Sequence, residues 1–177
     1  MGYGDGVRIG RRGPSLGAVA LLAIAVVVLV TGGEGSEDAE VPTASGVTAE
    51  VIRVVDGDTI RVDLDGVEEP VRYIGVDTPE SAIPGEPVEC FGEEASRFNA
   101  RLVEDETVRL DFDAERRDRY GRLLAYVHAG ETFVNAELVR QGFATTLTIP
   151  PNDSHADSFA RLEQVAGRDG RGLWGAC

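Results

Sequence analysis

Residues 56–80 read DGDTIRVDLDGVEEPVRYIGVDTPE. Two acidic turns, Asp56-Gly57-Asp58 and Asp77-Thr78-Pro79-Glu80, flank a stretch of apolar alternation. Ile60, Val62 and Leu64 alternate with Arg61, Asp63 and Asp65, which predicts a half-buried strand. Asp65-Gly66 is a hairpin turn signal, and Val67 to Val76 is the predicted return strand. Pairing of the two strands brings both acidic turns to one end of a small sheet. Arg72 then lies on the second strand, between them. Asp58 and Asp77, with Asp56 and Glu80 close by, are hard oxygen donors that suit Ca²⁺, or Mg²⁺ less well. Arg72 offers a planar guanidinium that can bind phosphate through two parallel hydrogen bonds. Taken singly, each turn is ordinary turn chemistry and a strand arginine is a solvent-facing residue. It is their arrangement around one hairpin that points to a site for a cation and a phosphate.

The pattern extends outward from this hairpin. Val47 to Val55 is a β-rich run, and Thr78 to Pro87 is a Pro-rich loop. Ala95, Phe98 and Leu102 recur at helical spacing and predict a helix over 92–104. Val108, Leu110 and Phe112 alternate as a fourth strand, and Leu123 to His128 is a fifth. Val134 to Gln141 reads as a short helix ended by Gly142. Ser154-x-x-Asp157 resembles a capping box opening a third helix through Phe159, Leu162 and Val165, with Trp174 as a C-terminal plug. Five short strands with one helix after the third and two appended helices predict an α+β, mainly β fold. The expected architecture is a five-stranded, partly open OB-type barrel with three helices.

The two ends add context. Arg8, Arg11 and Arg12 precede an uncharged, mostly apolar run from Leu16 to Val30. Residues 1–32 therefore read as a secretory signal peptide or an N-terminal membrane anchor. Residues 33–46 read as a flexible acidic linker, and residues 47–177 as the folded domain. The domain is expected outside the cell, secreted or tethered to the outer face of the membrane. There an even pair of cysteines, Cys90 and Cys177, predicts a disulfide, the alternative being two free thiols.

The net charge is −14, and all 17 basic residues are arginine. Acidity without lysine fits a protein tuned for high salt, where screening contracts to about 3 Å at 1 M. A GC-rich genome favouring arginine codons is the alternative. Within this acidic chain, Arg116, Arg117, Arg119 and Arg122 crowd into seven residues. This local positive island reads either as a solvated charged loop or as a phosphate-contacting loop in which Tyr120 donates or stacks.

The segments Val54-x-Asp56-Gly57-Asp58-Thr59, Arg72-x-x-Gly75-Val76-Asp77-Thr78-Pro79-Glu80, Phe91-Gly92-x-Glu94-Ala95, Asp118-x-Tyr120-Gly121-Arg122, Val134-Asn135-x-x-Leu138 and Gly172-Leu173-Trp174 resemble, in order and spacing, those of the staphylococcal nuclease family. The resemblance runs from about Val47 to Trp174. It implies an OB-fold barrel and a Ca²⁺-dependent phosphodiesterase acting on DNA and RNA. It assigns the metal to Asp58, Asp77 and the carbonyl of Thr78, and the nucleophilic water to Glu80. The scissile phosphate falls to Arg72 and Arg122, and a terminal phosphate to Arg119 and Tyr120. Products would carry 3′-phosphates, and a monomer is the default expectation. One stretch departs from the pattern. Better-known members carry two nucleotide-holding tyrosines before a Pro-Asn turn. Here Thr145 to Asn152 reads as one residue shorter and has no aromatic. Weaker substrate affinity or altered base preference is expected. The other class consistent with these motifs is a non-catalytic nucleic-acid-binding OB module. An acidic nuclease must also reconcile itself with a polyanion, so activity is expected to peak at an intermediate salt concentration.

Overall fold

The computed structural model describes residues 46–81 and 88–177. The expected signal or anchor segment, nearly all of the linker and most of the Thr78–Pro87 loop lie outside the described residues. Among the described residues, no helix is long and apolar enough to cross a membrane.

In chain order the elements are β1 (Val47–Val54), β2 (Thr59–Leu64), β3 (Val67–Tyr73), β4 (Gly75–Asp77), α1 (Gly92–Val103), β5 (Thr107–Asp111), β6 (Leu123–Ala129), β7 (Thr132–Phe133), α2 (Val134–Arg140), β8 (Thr145–Leu147), α3 (Ala156–Arg168) and α4 (Leu173–Ala176). The order β3-β2-β1-β5-β6 is antiparallel throughout, and a parallel β3–β6 pairing, Val71 opposite Leu123, closes it into a five-stranded barrel. Closure removes the unpaired edges that an open sheet would expose. Alternate residues of each strand point inward, so Ile60, Val62, Val71, Val108, Leu110 and Val127 are fully buried together. Each such aliphatic side chain contributes about 1.5–3 kcal/mol relative to exposure. α1 and α2 pack on the barrel, and α3 packs on α2 and β8.

The five-stranded, helix-decorated OB-type fold expected from the sequence is the one found, with closure complete rather than partial. Three local readings are corrected. The return strand does not run unbroken to Val76. It ends at Tyr73, where Ile74 N–H turns to donate to the Ala125 carbonyl at 3.0 Å. Gly75 then takes φ 79°, a left-handed conformation that disfavours side chains, and redirects the chain into β4, which pairs with β8 instead of β2. Ser154 is not a helix cap. Its hydroxyl donates to Asp113 Oδ1 at 2.9 Å and its N–H to Oδ2 at 3.2 Å, while α3 begins after His155 with no side-chain cap. Asp113 takes the N–H that a capping box would give to Asp157, and it draws the hydroxyl away from the helix amides. Trp174 lies 41% exposed on α4 and is no plug. The C-terminus is held instead by Leu173 N–H donating to the Gly142 carbonyl at 2.8 Å and by the Cys90–Cys177 disulfide. That cross-link spans 87 positions, worth about 4–5 kcal/mol in the chain-entropy model.

Candidate active site

The β2–β3 register sets the site. Thr59 stands opposite Arg72, so the residue before β2, Asp58, meets the end of β3. Tyr73 N–H donates to the Asp58 carbonyl at 2.9 Å, fixing that approach. The second acidic turn arrives through β4. Thr78 donates to Asp58 Oδ2 from its N–H at 2.8 Å and from its hydroxyl at 3.1 Å. The two turns that are twenty residues apart in sequence are thus joined through one carboxylate oxygen.

Arg72 lies between them. Its Nη1 is 3.0 Å from Asp58 Oδ2 and its Nη2 is 2.7 Å from Asp77 Oδ1. Nη1 also donates to the carbonyls of Tyr73 at 3.1 Å and Val76 at 2.8 Å. These bonds lock the guanidinium, whose side chain is only 14% exposed. Asp58 is 5% exposed, and burial pushes its carboxyl up to about 7, against the pull of Arg72 and with the help of Asp56 and Asp77. Asp77 by contrast faces solvent. Glu80 is exposed at the start of the following loop. Its carboxyl is raised above the usual range by partial desolvation first, and then by Asp56, Asp77 and Glu89.

The arginine-rich stretch 115–122 forms the other wall. Asp118 accepts from Arg122 N–H at 3.0 Å and pairs with Arg122 Nε at 2.7 Å, and it accepts from Tyr120 N–H at 2.9 Å. Partial burial opposes ionisation of Asp118. The bonds from Arg122 and Tyr120 outweigh it and hold the carboxyl below its usual range. Arg119 stacks over Tyr120 and donates to its hydroxyl at 2.6 Å, and Tyr120 is 68% exposed. Arg116 is turned away over Phe112, and Arg117 pairs with Glu69, so only part of the positive island faces the site.

A cavity of about 520 Å³ opens between this wall and β8, lined by Arg72, Arg119, Tyr120, Arg122, Leu147 and Ile149 among others. Asp58, Asp77, Thr78 and Glu80 do not line it. Arg72 belongs both to the cavity and to the carboxylate cluster. The structure therefore gathers Asp58, Arg72, Asp77 and Thr78 by direct bonds, and joins Arg119, Tyr120 and Arg122 to them through Arg72. Glu80 bonds to neither group but lies within electrostatic reach of Asp56, Asp77 and Arg72. Sequence reading placed Asp118 in a motif but gave it no role, although its position four residues before Arg122 was a signal. It read the tyrosine-free stretch without seeing that its exposed Leu147 and Ile149 line the cavity, and it missed Glu89, which bonds the main chain of Glu80.

Among the described residues, no three or more His, Cys, Asp or Glu side chains gather as a metal cage. Two carboxylates and a main-chain carbonyl need no such cage. A buried carboxylate that resists ionisation without a cation, beside a second carboxylate, suits a hard divalent ion.

A closed OB barrel with carboxylates and locked arginines at one end is the architecture of a phosphodiester-hydrolysing enzyme, a nuclease. The comparisons carry the same assignment to a family. A family model described as staphylococcal nuclease homologue matches residues 70–176. The chain is 40% identical over 159 residues to a thermonuclease of Staphylococcus intermedius, covering 88% of this chain and 95% of that one. It is 37% identical over 156 residues to the thermonuclease of Staphylococcus hyicus, covering 88% and 92%. To endonuclease YncB of Bacillus subtilis it is 42% identical over 124 residues, covering 69% of this chain and 59% of that protein. The chain belongs to the staphylococcal nuclease family.

Proposed function

We propose that this nuclease is a Ca²⁺-dependent endonuclease that hydrolyses DNA and RNA to products bearing 3′-phosphates. The observation that carries the reading is Arg72, a guanidinium immobilised by four bonds and shared between the carboxylate cluster and the cavity. Asp58, Asp77 and the Thr78 carbonyl would hold the ion. When bound, Ca²⁺ supplies positive charge to a phosphate oxygen and lowers the cost of deprotonating water. In this reading Arg72 and Arg122 receive the scissile phosphate and stabilise the charge that grows on its oxygens during in-line attack. Both are pre-oriented by protein acceptors, so little reorganisation is required at the moment of reaction. Glu80 takes the proton of the attacking water or orients it, and a carboxyl raised above its usual range is a better proton acceptor than an ordinary glutamate. Arg119 and Tyr120 bind a further phosphate at the mouth of the cavity. Leu147 and Ile149 give the nucleotide an aliphatic wall, where aromatic stacking would add about 1–3 kcal/mol per base.

The Cys90–Cys177 disulfide supports a domain that works in an oxidising compartment outside the cell. The test is cleavage of plasmid and single-stranded DNA and of RNA by the purified protein, with Ca²⁺ against a chelator. Calcium-dependent strand cleavage leaving 3′-phosphate ends is the expected result. Binding of nucleic acid by the folded protein without cleavage would overturn the assignment in favour of a binding module.

A further inference from the structure

Glu80 leaves the β4–β8 ribbon and has no strand partner. Among the described residues its carboxylate accepts no hydrogen bond, so its aim depends on its main chain. One residue holds that main chain at both ends. Glu80 N–H donates to Glu89 Oε2 at 2.9 Å, and Glu89 N–H donates to the Glu80 carbonyl at 3.0 Å. The same carbonyl rests on the first residue of α1, Gly92, where any side-chain carbon would overlap it. Gly92 N–H in turn donates to the Glu89 carbonyl at 3.0 Å. Cys90, the next residue, is cross-linked to Cys177 with the Cα atoms 6.1 Å apart. Glu89 therefore stands between the loop that carries Glu80, the start of α1 and the tethered C-terminus.

We propose that Glu89 is the positioning residue for Glu80, setting through its carboxylate the place from which Glu80 meets the attacking water. The inference rests on the role of Glu80 given above. Its physical basis is that a single hydrogen bond contributes little to stability. A displacement of about 1 Å at a reacting group, however, costs on the order of 100-fold in rate. Glu89 should thus affect turnover far more than folding or substrate binding.

The test compares steady-state cleavage of a DNA oligonucleotide by the full chain at saturating Ca²⁺ in Glu89→Ala, Glu89→Gln, Glu80→Gln and the double variant Glu80→Gln/Glu89→Ala. Glu89→Ala is expected to lower kcat about 10- to 100-fold with KM within about twofold of wild type. Glu89→Gln keeps an accepting side-chain oxygen at the same reach, so it should retain most of kcat. In the Glu80→Gln background, removing Glu89 should cause no further loss. If Glu89→Ala does not fold, Glu89→Asp, which withdraws the carboxylate by one methylene, carries the same expectation. Wild-type kcat in these Glu89 variants beside an impaired Glu80→Gln overturns this inference alone. So does an equal loss with and without Glu80. Full turnover in Glu80→Gln overturns the role of Glu80 and the inference with it.

Discussion

The seam between helices and barrel and the rim that carries the site both bury polar side chains, and they treat them in opposite ways. Asn99 and Asn135 are fully buried, and each bonds through both its amide oxygen and its amide nitrogen. Asn99 accepts from the Tyr73 hydroxyl at 2.9 Å and donates to the Asp56 carbonyl at 3.0 Å. Asn135 accepts from Val127 N–H at 2.9 Å and donates to the Ile74 carbonyl at 2.9 Å. These neutral amides stitch helices to the barrel where strands end. Asp58, nearly as buried, is a carboxylate placed beside Asp56 and Asp77, with its pKa raised to about 7. A satisfied neutral group is a structural device, whereas a buried carboxylate held among like charges beside a guanidinium marks a candidate site for a ligand or a reaction.

The sharpest way to break this contrast is Arg72→Ala. Removal of one pre-oriented donor to a transition state costs about 100- to 1,000-fold in kcat, and that loss is expected here in single-turnover cleavage. A change in KM alone would move Arg72 from the chemistry to simple binding. Next in size is Asn135→Ala, which strands Val127 N–H and the Ile74 carbonyl inside the core. Stability to urea should fall by about 3 kcal/mol, while kcat per folded molecule stays at wild type. A large loss of kcat in the remaining folded enzyme would erase the distinction between the two regions.

Asp58→Asn should act in the opposite sense on stability. Because the folded-state pKa lies above the ordinary value of 3.8, the fold favours the neutral carboxyl. That contribution is present below about pH 4 and is lost as pH rises through about 7. At pH 8 and without Ca²⁺, the neutral amide should therefore stabilise the domain by about 1–3 kcal/mol. At pH 4 the gain should vanish, and activity should be lost at any pH. Destabilisation at pH 8 would show that the Arg72 pair outweighs the burial.

The smallest effect belongs to Arg97→Ala. Arg97 pairs with Glu93 at 3.0 Å and with Glu94 at 2.9 Å on the exposed face of α1. The same guanidinium–carboxylate chemistry in water should change stability by less than about 1 kcal/mol. A loss comparable to that of Asn135→Ala would mean that exposure does not separate structural from incidental pairs in this protein.

Much of this arrangement was legible in the residues themselves. The period-two alternation over 60–64 and 108–112 and the Asp65-Gly66 turn gave the strands, because apolar periodicity is a direct consequence of one-sided burial. Asp58 and Arg72 were legible because they sit at the end of a hairpin whose register is fixed locally, while Asp77 was legible only as a neighbour in sequence and reaches the site through β4 and β8. Glu89 was not, since its partner lies nine residues away across a loop without periodicity. The capping-box reading of Ser154 failed because the competing acceptor, Asp113, is 41 positions distant. The break after Tyr73 was hidden for the same reason, as β4 takes its partner from β8.

By itself the sequence determined the five barrel strands and the three longer helices, the hairpin that ends beside the first acidic turn, and the identity of the charged residues near it. Those follow from local periodicity, turn chemistry and side-chain pKa, which act over a few residues. The tertiary structure alone decided that the barrel closes through β3 and β6 and that Arg72 is shared between the carboxylates and the cavity. It alone set Asp58 among like charges in the interior and Glu89 against the main chain of Glu80. These are outcomes of long-range packing, in which each group's environment is set by segments distant in the chain.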